Sequence, residues 1–235
     1  MTGFLEKALR IRKVLIGKDV YISRQIKQKT LTLGNRDARW TFIPELVSEK
    51  SIVYSIGIGT DISFDTALIE KIGCEVHAFD PTPKTIDWLK SRPATNKFKF
   101  SPFGLAHFDG IMDFFLPNKT DHVSGSLVSN EAANSKTIAV QMKRLKTIMN
   151  EFNHRRLDIL KMDVEGSEYR IIDDILENQI VAGQLLIEFH HRFREIGIAR
   201  TKDAVRKLNR AGYKIFYVSP NGEEISFVNQ KFYRE

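Results

Sequence analysis

From residue 51 onward, short apolar runs alternate with stretches of helical periodicity, and few architectures accept that alternation. A strand followed by a covering helix returns the chain to the same end of the sheet, so the pattern predicts βα units and mostly parallel pairing. Ser51 to Ile56 reads as the first strand. Ile62, Leu68, Ile69 and Ile72 give helical spacing over Asp61 to Ile72, and Gly73 is placed to cap that helix. Glu75 to Phe79 is a second strand. Pro81 and Pro83 punctuate a loop before a helix over Lys84 to Ser91, and Phe98 to Phe100 is a third strand. Leu157 to Val164 is nearly continuous in apolar character, as a strand buried on both faces must be, and therefore belongs at the centre of the sheet. A helix over Ser167 to Asn178, a strand over Gln184 to His190 and a helix from Thr201 to Ala211 extend the alternation. Tyr213 to Val218 and Glu224 to Val228 are joined only by a turn around Pro220, Asn221 and Gly222, too short for a crossover, so this last pair is antiparallel. The expected architecture is a Rossmann-like αβα sandwich on a mostly parallel, seven-stranded sheet with a C-terminal antiparallel strand.

Other segments carry weaker patterns. Phe4, Leu5, Ala8, Leu9 and Leu15 lie at helical spacing among basic residues, which predicts an amphipathic helix over residues 3 to 16 that covers an edge of the core. Residues 1–45 are read as a helical extension packed on a domain spanning 46–235. An apolar hairpin is expected over Leu105 to Leu116, turning at Asp109-Gly110, and residues 117 to 136 are expected to form an exposed, substrate-facing loop. Cys74 and Met162 read as core, and Trp40 and Trp88 as core in preference to lining a substrate site.

The chain's 235 residues suffice for one substantial core. No apolar run approaches the roughly 20 residues that a membrane-spanning helix needs. The N-terminal stretch is interrupted by Lys7, Arg10, Arg12 and Lys13, unlike a secretory signal. Cys74 stands alone, which excludes an intrachain disulfide and suits a reducing compartment, so a cytoplasmic location is expected. A net charge of +7 admits anionic partners but is read as a solvated basic surface, and nucleic acid is not expected as a partner.

The chemistry concentrates at strand ends. Ser55-Ile56-Gly57-Ile58-Gly59-Thr60-Asp61 joins a strand to a helix, where glycine permits a tight turn and close backbone approach to a ligand. Asp80 closes the next strand, at the spacing from which a carboxylate accepts hydrogen bonds from ribose hydroxyls. Together they indicate an adenosine-containing cofactor. A dinucleotide fingerprint would require a third small residue where Ile62 stands, which counts against NAD.

YSIGIGTD, VHAFDPTP and, most specifically, the DVEGSE string of Asp163 to Glu168 resemble the FkbM-type methyltransferases, over residues 50 to 220. That resemblance implies a class I methyltransferase fold, S-adenosylmethionine as cofactor, and O-methylation of a hydroxyl on a sugar, glycan or small natural product. It also implies that Gly57 and Gly59 lie near the methionine part of the cofactor, that Asp80 holds its ribose, and that Gly104 and Leu105 border adenine. Asp61 is open to two roles, cofactor ligand and helix cap. Methyl transfer to a hydroxyl needs alignment and removal of a proton. Asp163, Glu165, Glu188, His190 and His191 sit at the strand ends that face such a crevice. His190 is assigned as the base, with Asp163 and Glu188 beside it as catalytic carboxylates. Asp163 also borders the cofactor, and Glu165 and His191 are assigned to the substrate. No metal is expected, although Asp163, Glu165, Glu188 and His190 offer a donor set for a hard divalent ion. The competing classes are a nucleotide-dependent oxidoreductase and a nucleic-acid-binding module.

Overall fold

The computed structural model describes residues 10–17, 19–92, 95–115 and 137–233. After a short helix α1 (residues 10–15), β1 (Leu31–Leu33) and β2 (Trp40–Phe42) form a small antiparallel hairpin. The main chain of elements follows as β3 (Ile52–Ile56), α2 (Ser63–Ile72), β4 (Glu75–Phe79), α3 (Pro83–Lys90) and β5 (Phe98–Ser101). Next come β6 (Gly104–Leu105), β7 (Gly110–Phe115), β8 (Thr137–Lys143) and α4 (Leu145–Glu151). β9 (Leu157–Met162), α5 (Glu168–Glu177), β10 (Ala182–Glu188), α6 (Ile198–Arg210), β11 (Tyr213–Val218), β12 (Glu224–Asn229) and α7 (Gln230–Tyr233) complete it.

Seven of these strands make one sheet in the order β11-β12-β10-β9-β3-β4-β5. Pairing is parallel from β10 to β5, and β12 runs antiparallel to both of its neighbours. β9 lies between β3 and β10 with every residue buried, as its apolar run requires. The strand order turns back between β3 and β9, so a crevice opens above their C-terminal ends.

Alternation along the strands divides the core into two layers. Tyr54, Leu160 and Leu185 face α4, α5 and α6, whereas Val53, Ile159 and Leu186 face α2 and the β1–β2 hairpin through Phe64, Leu68, Trp40 and Phe42. Gly73 ends α2 in the left-handed conformation expected of it, at φ 79°, with its N–H on the Ile69 carbonyl at 2.8 Å. Between α5 and α6, the buried Tyr169 hydroxyl meets the Thr201 hydroxyl at 2.8 Å. Tyr169→Phe should therefore lower unfolding free energy in urea by about 0.5–1.5 kcal/mol, because it removes a buried hydrogen bond and little volume.

Three expectations need correction. The described part of the leading segment contains a hairpin as well as helix, and Leu15, placed on a core-covering face, is 80% exposed. The segment is held at other points. Gln25 and Ile26 N–H groups donate to the Ile215 carbonyl, and the Gln184 side chain clamps the backbone of Ile43 through both its oxygen and its nitrogen. The hairpin expected within Leu105 to Leu116 does not form; instead β6 and β7 flank β8, in the order β6-β8-β7. Trp88 is half-buried on α3, with the Arg92 guanidinium 4.3 Å from its ring centre. The loop expected over residues 117 to 136 lies outside the described residues. No described helix is long and apolar enough to cross a membrane.

Candidate active site

The site begins where β3 ends. The Gly57 N–H donates to the Phe79 carbonyl at 2.9 Å and the Asp163 N–H to the Ile56 carbonyl at 3.2 Å, which gathers the ends of three strands at one point. Gly57 has φ +68°, and a Cβ there would lie 1.8 Å from the Asp163 carbonyl oxygen. Only glycine fits this crossing. Gly59, also left-handed at φ 52°, donates its N–H to Asp80 Oδ2 at 2.9 Å. Asp80 Oδ1 in turn accepts from the Thr82 N–H at 2.9 Å and the Thr82 hydroxyl at 2.6 Å. The carboxylate thus ties the glycine turn to the loop after β4 and still has lone-pair capacity for a ligand.

Gly57, Gly59, Asp80 and Thr82 form the polar wall of a cleft above these strands. The same cleft has an apolar lining from Leu105, Phe114 and Met142, contributed largely by the three-stranded sheet, together with Gly104. Asp163, which adjoins Gly57, and Val164 and Glu165 line it as well. The cleft therefore offers a carboxylate and backbone amides, an apolar surface and further acid groups.

Lys161, which sequence reasoning missed, supports the turn from beneath. It is buried on β9, donates to the Gly57 carbonyl at 3.0 Å and the Ile56 carbonyl at 3.3 Å, and lies 5.1 Å from the Trp40 ring centre. Burial raises the pKa of nearby Asp65, and the Lys161 charge partly offsets that rise. The signal was present in the sequence, because a lysine within an otherwise apolar buried strand needs a partner inside the protein.

Behind Asp163 and Glu165, His190 is 8% exposed and faces several carboxylates. Its Nε2 lies 3.6 Å from Asp163 Oδ1 and 3.4 Å from Glu165 Oε2, and its Nδ1 lies 3.4 Å from Glu168 Oε2. Glu168 is fully buried and is fixed by the His190 N–H at 2.8 Å and the Gly166 N–H at 2.9 Å. It was read only as part of a string, yet it orients the histidine. Burial opposes the imidazolium, but the Glu168 hydrogen bond and the charges of Glu168, Asp163 and Glu165 outweigh it and push the pKa up to about 10. Glu188 is pushed up to about 8, first by burial and then by Asp163. Burial also raises the Asp163 carboxyl, against the lowering effect of Lys161 and His190.

Two expected site residues are turned elsewhere. Asp61 does not line the cleft; it accepts from the Ser63 N–H at 2.8 Å and from Asn35 Nδ2 at 3.3 Å, so its contacts are those of a residue fixing the start of α2. His191 is buried against Asp19 at 2.9 Å, where Arg192 also reaches Asp19 at 2.6 Å. Its ring anchors the leading segment and does not face the cleft. His190 is brought to the acid cluster, but a histidine that already holds its proton is a poor proton acceptor, which displaces it from the role of base.

A profile of the Methyltransferase FkbM domain matches residues 51–215. The "Probable methyltransferase-like protein 24" of Rattus norvegicus is 24% identical over 191 residues, covering 77% of this chain and 46% of the relative. The protein of the same name from Homo sapiens is 23% identical with the same coverage. The chain thus spans about half the length of the curated relatives it matches. Among solved structures, Aeropyrum pernix fibrillarin in complex with natively bound S-adenosyl-L-methionine is similar at 9% identity and a TM-score of 0.43, covering 88% of this chain and 97% of that one. The Methanococcus jannaschii fibrillarin pre-rRNA processing protein gives 10% identity and a TM-score of 0.43, covering 88% of this chain and 84% of that one.

Proposed function

The chain belongs to the FkbM methyltransferase family, and from that premise we propose that it transfers the methyl group of S-adenosylmethionine to a hydroxyl oxygen on a sugar, glycan or small natural product. One observation carries the choice of a hydroxyl acceptor: Asp163 and Glu165, which lie against His190, line the same cleft as Gly57, Gly59 and Asp80. The transferase unit in this reading is residues 46–235, with residues 1–45 as an appended segment.

The residues fit the cofactor in three respects. Gly57 lets the turn after β3 fold against the Asp163 backbone, which places its own main chain in the cleft lining, where the methionine part would lie. Asp80 retains acceptor capacity for a ribose hydroxyl beside its three local bonds. Leu105, Phe114 and Met142 offer an apolar surface for adenine. When bound, the sulfonium supplies an electrophilic methyl carbon. Asp163 takes the acceptor's hydroxyl proton as the oxygen becomes nucleophilic, and its burial-raised affinity for a proton suits that task. Glu165 and Glu188 hold neighbouring acceptor hydroxyls, and His190 stabilises the carboxylates around it. These contacts fix the line of attack, from which much of the rate enhancement in such a displacement comes.

Calorimetric titration with S-adenosylmethionine and with NAD(H), followed by labelled methyl transfer to a panel of sugars, glycans and hydroxylated small molecules, tests this reading. Binding of the nicotinamide cofactor alone would overturn it. Asp80→Ala should weaken S-adenosylmethionine binding by about 1–3 kcal/mol, or about 5- to 150-fold, by removing charge-assisted bonds. Unchanged affinity in a folded variant would show that Asp80 serves the loop alone.

A further inference from the structure

Asp163, Glu165 and His190 each offer one donor atom, and the three atoms lie within 4.8 Å of one another. The imidazole Nε2 is 3.4 Å from one carboxylate oxygen and 3.6 Å from the other, longer than ordinary hydrogen bonds to either. Ligands held about 2.1 Å from one ion stand roughly 3.0 to 3.4 Å apart in octahedral or tetrahedral arrangement, which nearly matches this spacing. A second observation is independent of that spacing. Asp163 Oδ1 is shut off from solvent and has no hydrogen-bond partner among the described residues, although it points at an imidazole that is itself more than nine-tenths buried.

The surroundings are those of a ligating histidine. The fully buried Glu168 carboxylate meets Nδ1 from behind, so that a cation displacing the Nε2 proton would meet a ring already held in place. Arg192 pairs with Asp19 and Glu223, and Lys161 donates to backbone carbonyls. Carboxylates grouped this closely and partly withdrawn from water favour positive charge close by.

We propose that Asp163, Glu165 and His190 form a binding site for a divalent cation of the Mn2+ or Mg2+ type. Two carboxylates and one imidazole suit these ions, and soft thiolate ligands are absent from the set. Asp163 and Glu165 also line the cleft, so an ion held by them would border it. Resting on the methyltransferase reading above, the ion would hold the acceptor oxygen and ease loss of its proton.

The test is direct titration of the tag-free, chelator-stripped chain with Mn2+, followed by the electron paramagnetic resonance signal of the free ion. One saturable site is expected, with affinity reduced at least about tenfold in both Glu165→Gln and His190→Gln. S-adenosylmethionine affinity is measured on the same samples and should remain near that of the unaltered chain, and thermal unfolding establishes that each variant is folded at the temperature of the titration. Absence of saturable Mn2+ binding, or binding undiminished in both variants, overturns the cation site. A chain that binds Mn2+ but not S-adenosylmethionine retains the cation site and loses the methyl-transfer reading, and the reverse pattern does the opposite.

Discussion

Gly57→Ala should abolish measurable S-adenosylmethionine binding and lower the unfolding free energy by more than about 3 kcal/mol. The backbone at Gly57 is left-handed, which alone costs an alanine roughly 1–2 kcal/mol. The larger cost is steric, because the added Cβ would lie 1.8 Å from the carbonyl oxygen of Asp163. That neighbour is main chain and cannot rotate aside. Relief requires the ends of β3 and β9 to separate, which breaks the Asp163 N–H bond to the Ile56 carbonyl and displaces the turn that approaches the cofactor. Losses of this size belong to a short set of causes, of which forced backbone overlap is one. Gly197 supplies the control for crowding: its φ is also positive, at +74° with ψ 162°, a region that strains alanine at least as much, but a Cβ there meets nothing within 4 Å. Gly197→Ala should show the conformational cost alone. Equal urea stabilities for the two variants would mean that the crowding at Gly57 is absent in solution.

The same crossing shows why much of the fold was legible. β3, β4, β9 and β10 are short apolar runs, each flanked by helical periodicity, and burial in a parallel sheet leaves little freedom in where such runs can sit. Gly73 was readable because a left-handed residue at a helix end favours glycine. The three-stranded sheet was not readable: β7 and β8 pair across residues 116–136, and no local turn signal marks a non-local partner. The assignment of His191 to the substrate rests on its place at a strand end alone, and no local pattern reveals a partner as distant as the one it has. At that point the Phe189 N–H turns to the Glu223 carbonyl, and His191 meets Asp19 from a segment 172 residues away. Asp61 kept the helix-starting contacts that its spacing allowed. Lys161 and Glu168 escaped notice because burial of a charge is decided by tertiary partners, and neither partner lies nearby in sequence.

Asp163→Asn should reduce turnover by about 10²- to 10⁴-fold while leaving S-adenosylmethionine affinity within a few-fold of the unaltered chain. Asparagine preserves the shape of the side chain, and the backbone of residue 163, which carries the contacts to Ile56 and Gly57, is unchanged. What is lost is an acceptor for the hydroxyl proton. The substitution should not destabilise the protein, since the site it occupies disfavours a charged group through burial and through Glu168 and Glu224. An unchanged melting temperature combined with slow turnover would therefore place the defect in chemistry and not in folding. Rapid turnover by Asp163→Asn would assign proton removal to another group, and Glu188, raised to about 8 within the same cluster, is the next carboxylate to replace. Slow turnover together with weak cofactor binding would instead indicate that the Asp163 side chain, like its backbone, belongs to the cofactor's half of the cleft.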